Sequence, residues 1–304
     1  MAGFRLLNYV GDDGEARPGL GVGDGVIDLQ AALDGRDVTG FSAVSTLAVL
    51  ENWDAALPVF SEIAAGGADA TPLDDVQLLA PILYPGAIFN AAANYTDHQK
   101  EMNQGKSLTK EETTPYFFLK SGAHCVIGPG AEIRLPKVSQ QVDWEAELGV
   151  VIGRPARNMT LENALDCVAG YTIFNDLSAR DLSQPLGRRW NTDWFVHKNF
   201  DGAGPLGPWM VPADDIPDPH DIEIKLWVND EQMQDSNSKY LFFNINEQIE
   251  FLSRRMTLRP GDVIATGTPS GVGRPRGIFL KPGDTVSIEL GGIGTLRNPV
   301  VQGD

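Results

Sequence analysis

The residues that could do chemistry here are carboxylates. The run Asp143-Trp144-Glu145-Ala146-Glu147-Leu148-Gly149-Val150-Val151-Ile152-Gly153 alternates acidic and apolar positions, then turns apolar. Side chains alternate faces along a strand, so Trp144, Ala146 and Leu148 point one way and Asp143, Glu145 and Glu147 the other. Glutamates two apart lie roughly 7 Å apart at Cα, close enough for their carboxylates to converge on one cation. Two readings stay open on the residues alone: a solvated strand face, or a carboxylate pair neutralised by an ion. The apolar continuation argues for a central strand, where like charges side by side are costly without a cation. Asp176 closes a second apolar run, Tyr171–Asn175, and is placed either to join a site or to cap the turn that follows. Carboxylates with no histidine among them suit a hard ion, Mg²⁺, Mn²⁺ or Ca²⁺, rather than zinc.

A second constellation is Asn94-Tyr95-Thr96-Asp97-His98-Gln99-Lys100-Glu101. Thr96 with Gln99 fits a capping box, so a helix is expected to begin here. His98 and Glu101 then share a helical face. A carboxylate that fixes an imidazole tautomer raises its basicity, as a general base requires; an exposed, charge-studded helix start accounts for the same residues. Gly267-Thr268-Pro269-Ser270-Gly271-Val272-Gly273 lacks the Gly-Lys-Ser/Thr of a phosphate loop and the spacing of a nucleophile elbow. Gly202–Gly207 matches GxGxxG literally, but Pro205 and Pro208 forbid the helix that such a loop must open.

These residues need a frame. The expected strands are 4–10, 20–29, 86–92, 115–119, 147–153, 169–175, 222–228, 262–266 and 284–290, separated by turns such as Arg259-Pro260-Gly261-Asp262 and Lys281-Pro282-Gly283-Asp284. Expected helices are 42–65 with a break at Pro58, 96–105, 160–168 capped by Thr160, and 245–257. Ala64–Pro72 reads as a linker. A small N-terminal α+β domain over 1–75 and a larger β-rich domain over 76–304 follow, in an α+β chain. The formal charge of -17 argues against nucleic-acid or anionic-membrane partners. Cys125 and Cys167 are too few for a zinc cluster or a disulfide scaffold and read as buried thiols of a reducing compartment. Met1–Val10 shows no basic-then-apolar leader and no apolar run approaches a membrane span, so the expectation is a cytoplasmic protein.

Taken together, residues from about 80 to 301 resemble the fumarylacetoacetate hydrolase family. The segments that carry the resemblance, in order, are Asn94–His98, Phe118–Lys120, Glu145–Glu147, Asn175–Asp181, His197–Asp201, Pro205–Pro208, Pro260–Ile264 and Gly267–Gly273. The resemblance implies a mixed β-roll catalytic domain with a smaller N-terminal domain, and a homodimer. It implies one Mg²⁺ or Mn²⁺ on Glu145, Glu147 and Asp176. Asn94 stands where the founding enzyme has a fourth carboxylate ligand, so the chain resembles the three-carboxylate branch. His98 and Glu101 match that branch's His–Glu pair on a helix that closes over substrate, and Lys198 matches its active-site lysine. Arg180 and Thr268 match substrate-positioning residues. Where the family often has Gln directly after Ala-Arg-Asp-Leu, this chain has Ser183, with Gln184 next as the substrate-binding candidate. Pro185–Asp193, with Arg188, Arg189 and Trp190, looks longer than usual.

The implied activity is hydrolytic C–C cleavage of a β-diketo acid such as an acylpyruvate, through an enolate that the ion stabilises as a Lewis acid. His98, oriented by Glu101, would deprotonate the attacking water, and Lys198 would face developing negative charge. Oxaloacetate decarboxylation, oxo-acid isomerisation or tautomerisation, and diketo-sugar-acid hydrolysis use the same enolate and stand as alternatives. A metal-stabilised binding protein without turnover is the remote one.

Overall fold

The computed structural model describes residues 2–36, 38–184 and 192–303. The 185–191 stretch, with Arg188, Arg189 and Trp190, lies outside the described residues, and with it most of the Pro185–Asp193 run that looks longer than usual.

Two large sheets dominate. The first has twelve strands, and its main path runs Thr71–Pro72, Gly25–Asp28, Ala16–Val22, Arg5–Val10, Gly204–Pro212, Val168–Asn175, Ala146–Ile152, Val263–Ala265, Ile88–Ala91 and Phe117–Lys120. Most of its ladders are antiparallel, while Val263–Ala265 and Ile88–Ala91 pair in parallel, so the sheet is mixed. The second sheet has five strands: Glu231–Asn237, Glu223–Val228, Thr285–Leu290, Gly294–Gln302 and Ile133–Leu135. Arg5–Val10 pairs with Gly204–Pro212 through Leu6 and Met210, so the first sheet runs on across residue 75. No helix among the described residues is long and apolar enough to cross a membrane.

The central strands are covered on both faces, and their sequence shows why. Every residue of Ala146–Ile152 and of Val168–Asn175 is buried. Ala146, Leu148 and Val150 join Trp144, Tyr171 and Ile173 in a core shared with the five-stranded sheet through Leu226 and Ile288. Val151, Ala169 and Phe174 face the opposite way, into a core closed by Trp53, Phe60 and Ile63 of the N-terminal helix. Along Ala146–Ile152 that is the period-2 alternation expected of a strand; in Val168–Asn175 it is interrupted near Gly170, where the register shifts and Ala169 faces away from Tyr171 despite their equal parity. The alternation leaves Glu147 on the second face, inside the protein rather than in solvent.

The expected strands are present with ends shifted by no more than two residues, except that 20–29 is a hairpin of Ala16–Val22 and Gly25–Asp28 turning at Gly23. All four helix expectations need correction, the 96–105 helix because it ends at Met102. The 42–65 segment is two helices, Thr46–Leu50 and Trp53–Ala65, and Pro58 lies inside the second. Pro58 is exposed, so water can hydrate the carbonyl that its missing N–H leaves free. At 160–168 there is only a 3₁₀ turn, Ala164–Cys167; Asn163 Oδ1 accepts the Thr160 N–H at 2.8 Å, a local bond that competes with a helix. The last helix stops at Ser253, and its capping box is Asn244 with Glu247.

Candidate active site

Strand register assembles the carboxylates. Ala146 pairs with Asn175, and the Asp176 N–H donates to the Glu145 carbonyl at 2.9 Å, which sets the two acids side by side. Ligand oxygens of Glu145, Glu147 and Asp176 all lie within 4.8 Å of one another, and all three residues are buried. Asp143, on the same strand face by parity, does not join them. It accepts Arg180 Nε at 2.8 Å and the N–H groups of Gly273 and Arg274 at 2.7 and 3.1 Å.

Three buried cations surround the triad. Lys198 Nζ donates to Glu145 Oε2 at 2.8 Å and to Asp176 Oδ2 at 2.7 Å. Arg180 pairs with Glu145 Oε1 through Nη2. Lys120, which the sequence reading left without a role, lies 3.0 Å from Asp176 Oδ1. An ammonium has three protons. Those of Lys120 go to the carbonyls of Leu177 and Ala203, both at 2.9 Å, and of Lys198. Asp176 Oδ1 therefore receives charge from Lys120 but no hydrogen bond, and it stays an orphaned buried oxygen.

Glu147 is the acid without a cation. Its Oε2 accepts only the Gly267 N–H, at 2.8 Å. Burial, with Asp176 and Glu145 beside it, pushes its pKa well up. Burial would raise Glu145 as well, but Lys198 and Arg180 outweigh it and hold that carboxyl below its usual range. Asp176 stays raised by burial, with Lys198 and Lys120 working against the shift. Burial would lower Lys198, yet Asp176 and Glu145 keep it firmly protonated. Four clustered carboxylates, Asp143 included, thus meet three cations, and the imbalance rests on Glu147. An all-oxygen donor set with an orphaned carboxylate oxygen and one unneutralised acid fits a hard divalent cation. These three residues could hold one.

The Gly-rich loop 267–273 does not cradle phosphate; it ties the site together. Besides the Gly267 N–H on Glu147, Ser270 Oγ donates to Asp97 Oδ2 at 2.9 Å and the Gly271 N–H to the Glu101 carboxylate at 3.1 Å. Trp144 Nε1 in turn donates to the Gly271 carbonyl at 3.1 Å. Glycine is required at two points. Gly267 has φ +103°, and a Cβ there would come within 2.6 Å of Asn94 Cβ; Gly271 has φ +107°, and a Cβ would collide with the Met233 carbonyl.

Helix Thr96–Met102 carries His98 and Glu101 beside this loop. The expected capping box is absent. Tyr95 is the cap residue, without a side-chain bond, and Gln99 instead bonds the Ala93 carbonyl and the Leu108 N–H. His98 is buried, with Nδ1 3.6 Å from Glu101 Oε2, so the pair is adjacent without a closed hydrogen bond. A cavity of about 500 Å³ is lined by His98, Glu145, Glu147, Arg180, Lys198 and Thr268. Gln184 lines it too, and is exposed. Ser183 lines it as well, but its hydroxyl proton is spent on the Arg180 carbonyl at 2.8 Å. Phe118 and Trp194, stacked with centroids 4.8 Å apart, form an aromatic wall that sequence reasoning missed. Thr268 donates its hydroxyl proton to the Ala146 carbonyl and accepts from Gln234, both at 2.9 Å. Asn94 is no ligand. Its amide clamps Phe243 from both sides and bonds the Thr266 carbonyl at 2.7 Å.

Residues 87–301 match the family model for the fumarylacetoacetate (FAA) hydrolase C-terminal region. The chain is 40% identical to human mitochondrial oxaloacetate tautomerase FAHD2B over 304 residues, 98% of this chain and 90% of that one. Among solved structures it is similar to maleylpyruvate hydrolase from Sphingobium sp. SYK-6 in complex with manganese(II) and pyruvate. There the TM-score is 0.78 at 33% identity, covering 99% of this chain and 100% of that one. Fumarylacetoacetate hydrolase from Exiguobacterium antarcticum gives a TM-score of 0.79 at 32% identity, covering 98% and 99%.

Proposed function

Because the chain belongs to the fumarylacetoacetate hydrolase family, as the match over residues 87–301 shows, we propose that it interconverts the keto and enol forms of an oxaloacetate-like 2-oxo acid, dependent on Mg²⁺ or Mn²⁺. The observation that carries this reading is the buried triad of Glu145, Glu147 and Asp176, with its unneutralised acid, whose two glutamates line the cavity that holds His98. The likeness to an oxaloacetate tautomerase over nearly the whole chain supports the choice of reaction. When bound, the cation supplies Lewis acidity that makes an enolate of the substrate affordable near neutral pH. His98 takes a proton from the carbon beside the 2-oxo group, and a proton returned to oxygen gives the enol. Glu101, 3.6 Å from His98 Nδ1 and itself held by the Gly271 N–H, stabilises the positive charge that the ring gains with the proton. Lys198, fixed between Glu145 and Asp176, keeps positive charge next to the developing oxyanion. Arg180, Thr268 and Gln184 line the cavity around the substrate.

Hydrolytic C–C cleavage of an acylpyruvate is the second reading. It is favoured by the His98–Glu101 pair, which could equally deprotonate an attacking water, and by the likeness to a maleylpyruvate hydrolase. A homodimer in the cytoplasm, without nucleic-acid or membrane partners, completes the proposal, although the human relative is named as mitochondrial. The deciding experiment offers EDTA-stripped and Mn²⁺-restored protein both oxaloacetate and acetylpyruvate. Proton exchange at C3 of oxaloacetate in D₂O is expected to need the cation and His98. Pyruvate release from acetylpyruvate at a higher kcat/KM would select the second reading, and turnover of neither would refute both.

A further inference from the structure

Arg180 and Lys198 line the cavity but are already committed to Asp143, Glu145 and Asp176. Arg274 lines the same cavity and is not. Its side chain is exposed, and among the described residues its guanidinium has neither an ion pair nor a hydrogen bond. Neighbouring Arg276 differs, since it reaches the Met233 carbonyl. The backbone of Arg274 is nonetheless firmly placed. The Arg274 N–H donates to Asp143 Oδ2, the same oxygen that receives Arg180 Nε. The side chain therefore starts one carboxylate away from the triad's own arginine, and a guanidinium is a fork for carboxylate oxygens.

We propose that Arg274 is a specificity-determining residue that binds the distal carboxylate of a dicarboxylic 2-oxo acid whose 2-oxo acid end lies at Glu145, Glu147 and Asp176. This rests on the 2-oxo acid reading above and adds to it a second anionic end for the substrate. Asp143, Glu145, Glu147 and Asp176 carry four negative charges against five positive ones from Lys120, Lys198, Arg180 and a divalent cation, which leaves one positive charge for the 2-oxo acid's own carboxylate; Arg274 adds a further one at the cavity wall, and a second carboxylate meets it.

The test is calorimetric titration of Mn²⁺-loaded protein with two ligands that cannot turn over: oxalylglycine, and N-ethyloxamate, which has the same head but a methyl in place of the distal carboxylate. Wild type should bind oxalylglycine the more tightly. Arg274→Gln should weaken oxalylglycine roughly 10-fold, the scale of one charge-assisted hydrogen bond at an exposed site, and leave N-ethyloxamate unchanged. Arg274→Lys should recover part of the loss, and Arg276→Gln should change neither affinity. Oxalylglycine binding that is unchanged in Arg274→Gln, or both ligands weakened alike, overturns the assignment while the 2-oxo acid reading stands. If neither ligand binds wild type, that reading fails and this inference falls with it.

Discussion

Replacing Glu147 by Gln should make the protein indifferent to divalent cations while making its cation-free form less sensitive to pH. Glu147 is the one acid of the cluster with no cation beside it, and burial pushes its pKa up in the folded protein. Between the ordinary carboxylate range and that raised value, the native state binds a proton that the unfolded chain does not. The slope of stability with pH is then negative, so the contribution is complete in acid and is lost as pH rises through the folded pKa. A divalent cation must displace this proton. Its apparent affinity should therefore fall tenfold for each pH unit below that pKa, about 1.4 kcal/mol. At a cation concentration of roughly 100 times Kd, binding stabilises by about 2.7 kcal/mol. Over 304 residues, an unfolding entropy of about 2.1 cal/mol/K per residue gives about 0.6 kcal/mol/K, so the melting temperature should rise about 4 °C, with about 2 °C lost per pH unit on acidification. Thermal melts of EDTA-stripped protein with and without MnCl₂, from pH 5 to 8, read this directly. In Glu147→Gln the cation-induced rise should vanish. A rise of equal size at every pH, or one that survives in Glu147→Gln, would place the ion elsewhere and refute the reasoning.

Three further substitutions separate the roles of neighbouring groups. His98→Gln should lower kcat about 100- to 10,000-fold, the usual worth of a positioned general base, while the Mn²⁺-induced melting shift stays intact. Lys198→Met leaves Glu145 and Asp176 buried beside each other with a partner lost; the cation-free protein should lose about 3–5 kcal/mol, a fall of about 5–8 °C that added Mn²⁺ partly restores. Trp144→Phe removes the bond to the Gly271 carbonyl. The cost should be about 1–3 kcal/mol, and KM should rise more than kcat falls if the 267–273 loop shapes the cavity; an unchanged KM would count against that role for the loop.

Parity along one strand revealed the pair Glu145 and Glu147, because a period of two follows from backbone geometry alone. It could not say who sits across from them. Asp143 shares their parity yet is occupied by Arg180 and the Gly273 and Arg274 N–H groups, partners that lie far along the chain. Lys120 stayed without a role for the same reason. Its acceptors are carbonyls at Leu177, Lys198 and Ala203, which only the tertiary fold brings to one point. The Gly-rich loop was conspicuous in the sequence, but its chemistry was not, since its N–H groups meet carboxylates instead of phosphate. Thr96 misled because a capping pattern is a local signal, and Gln99 had stronger business with the Ala93 carbonyl and the Leu108 N–H.

Asp176 shows why the site and the core cannot be separated. Its place beside Glu145 is set by the register that pairs Ala146 with Asn175 and Glu147 with Phe174. That register is held by apolar side chains: Leu148, Val150, Tyr171 and Ile173 on one face, Val151, Ala169 and Phe174 on the other. A slip of one residue would turn Phe174 and Ile173 to the wrong cores and move Asp176 off the cluster in the same step. The two strands need no separate device to align three carboxylates, because any pairing that buries their apolar residues correctly has already done so. What the core cannot supply is neutralisation. Lys120, Lys198 and Arg180 arrive from three other segments and leave Glu147 uncovered, and that leftover charge is where a divalent cation is needed.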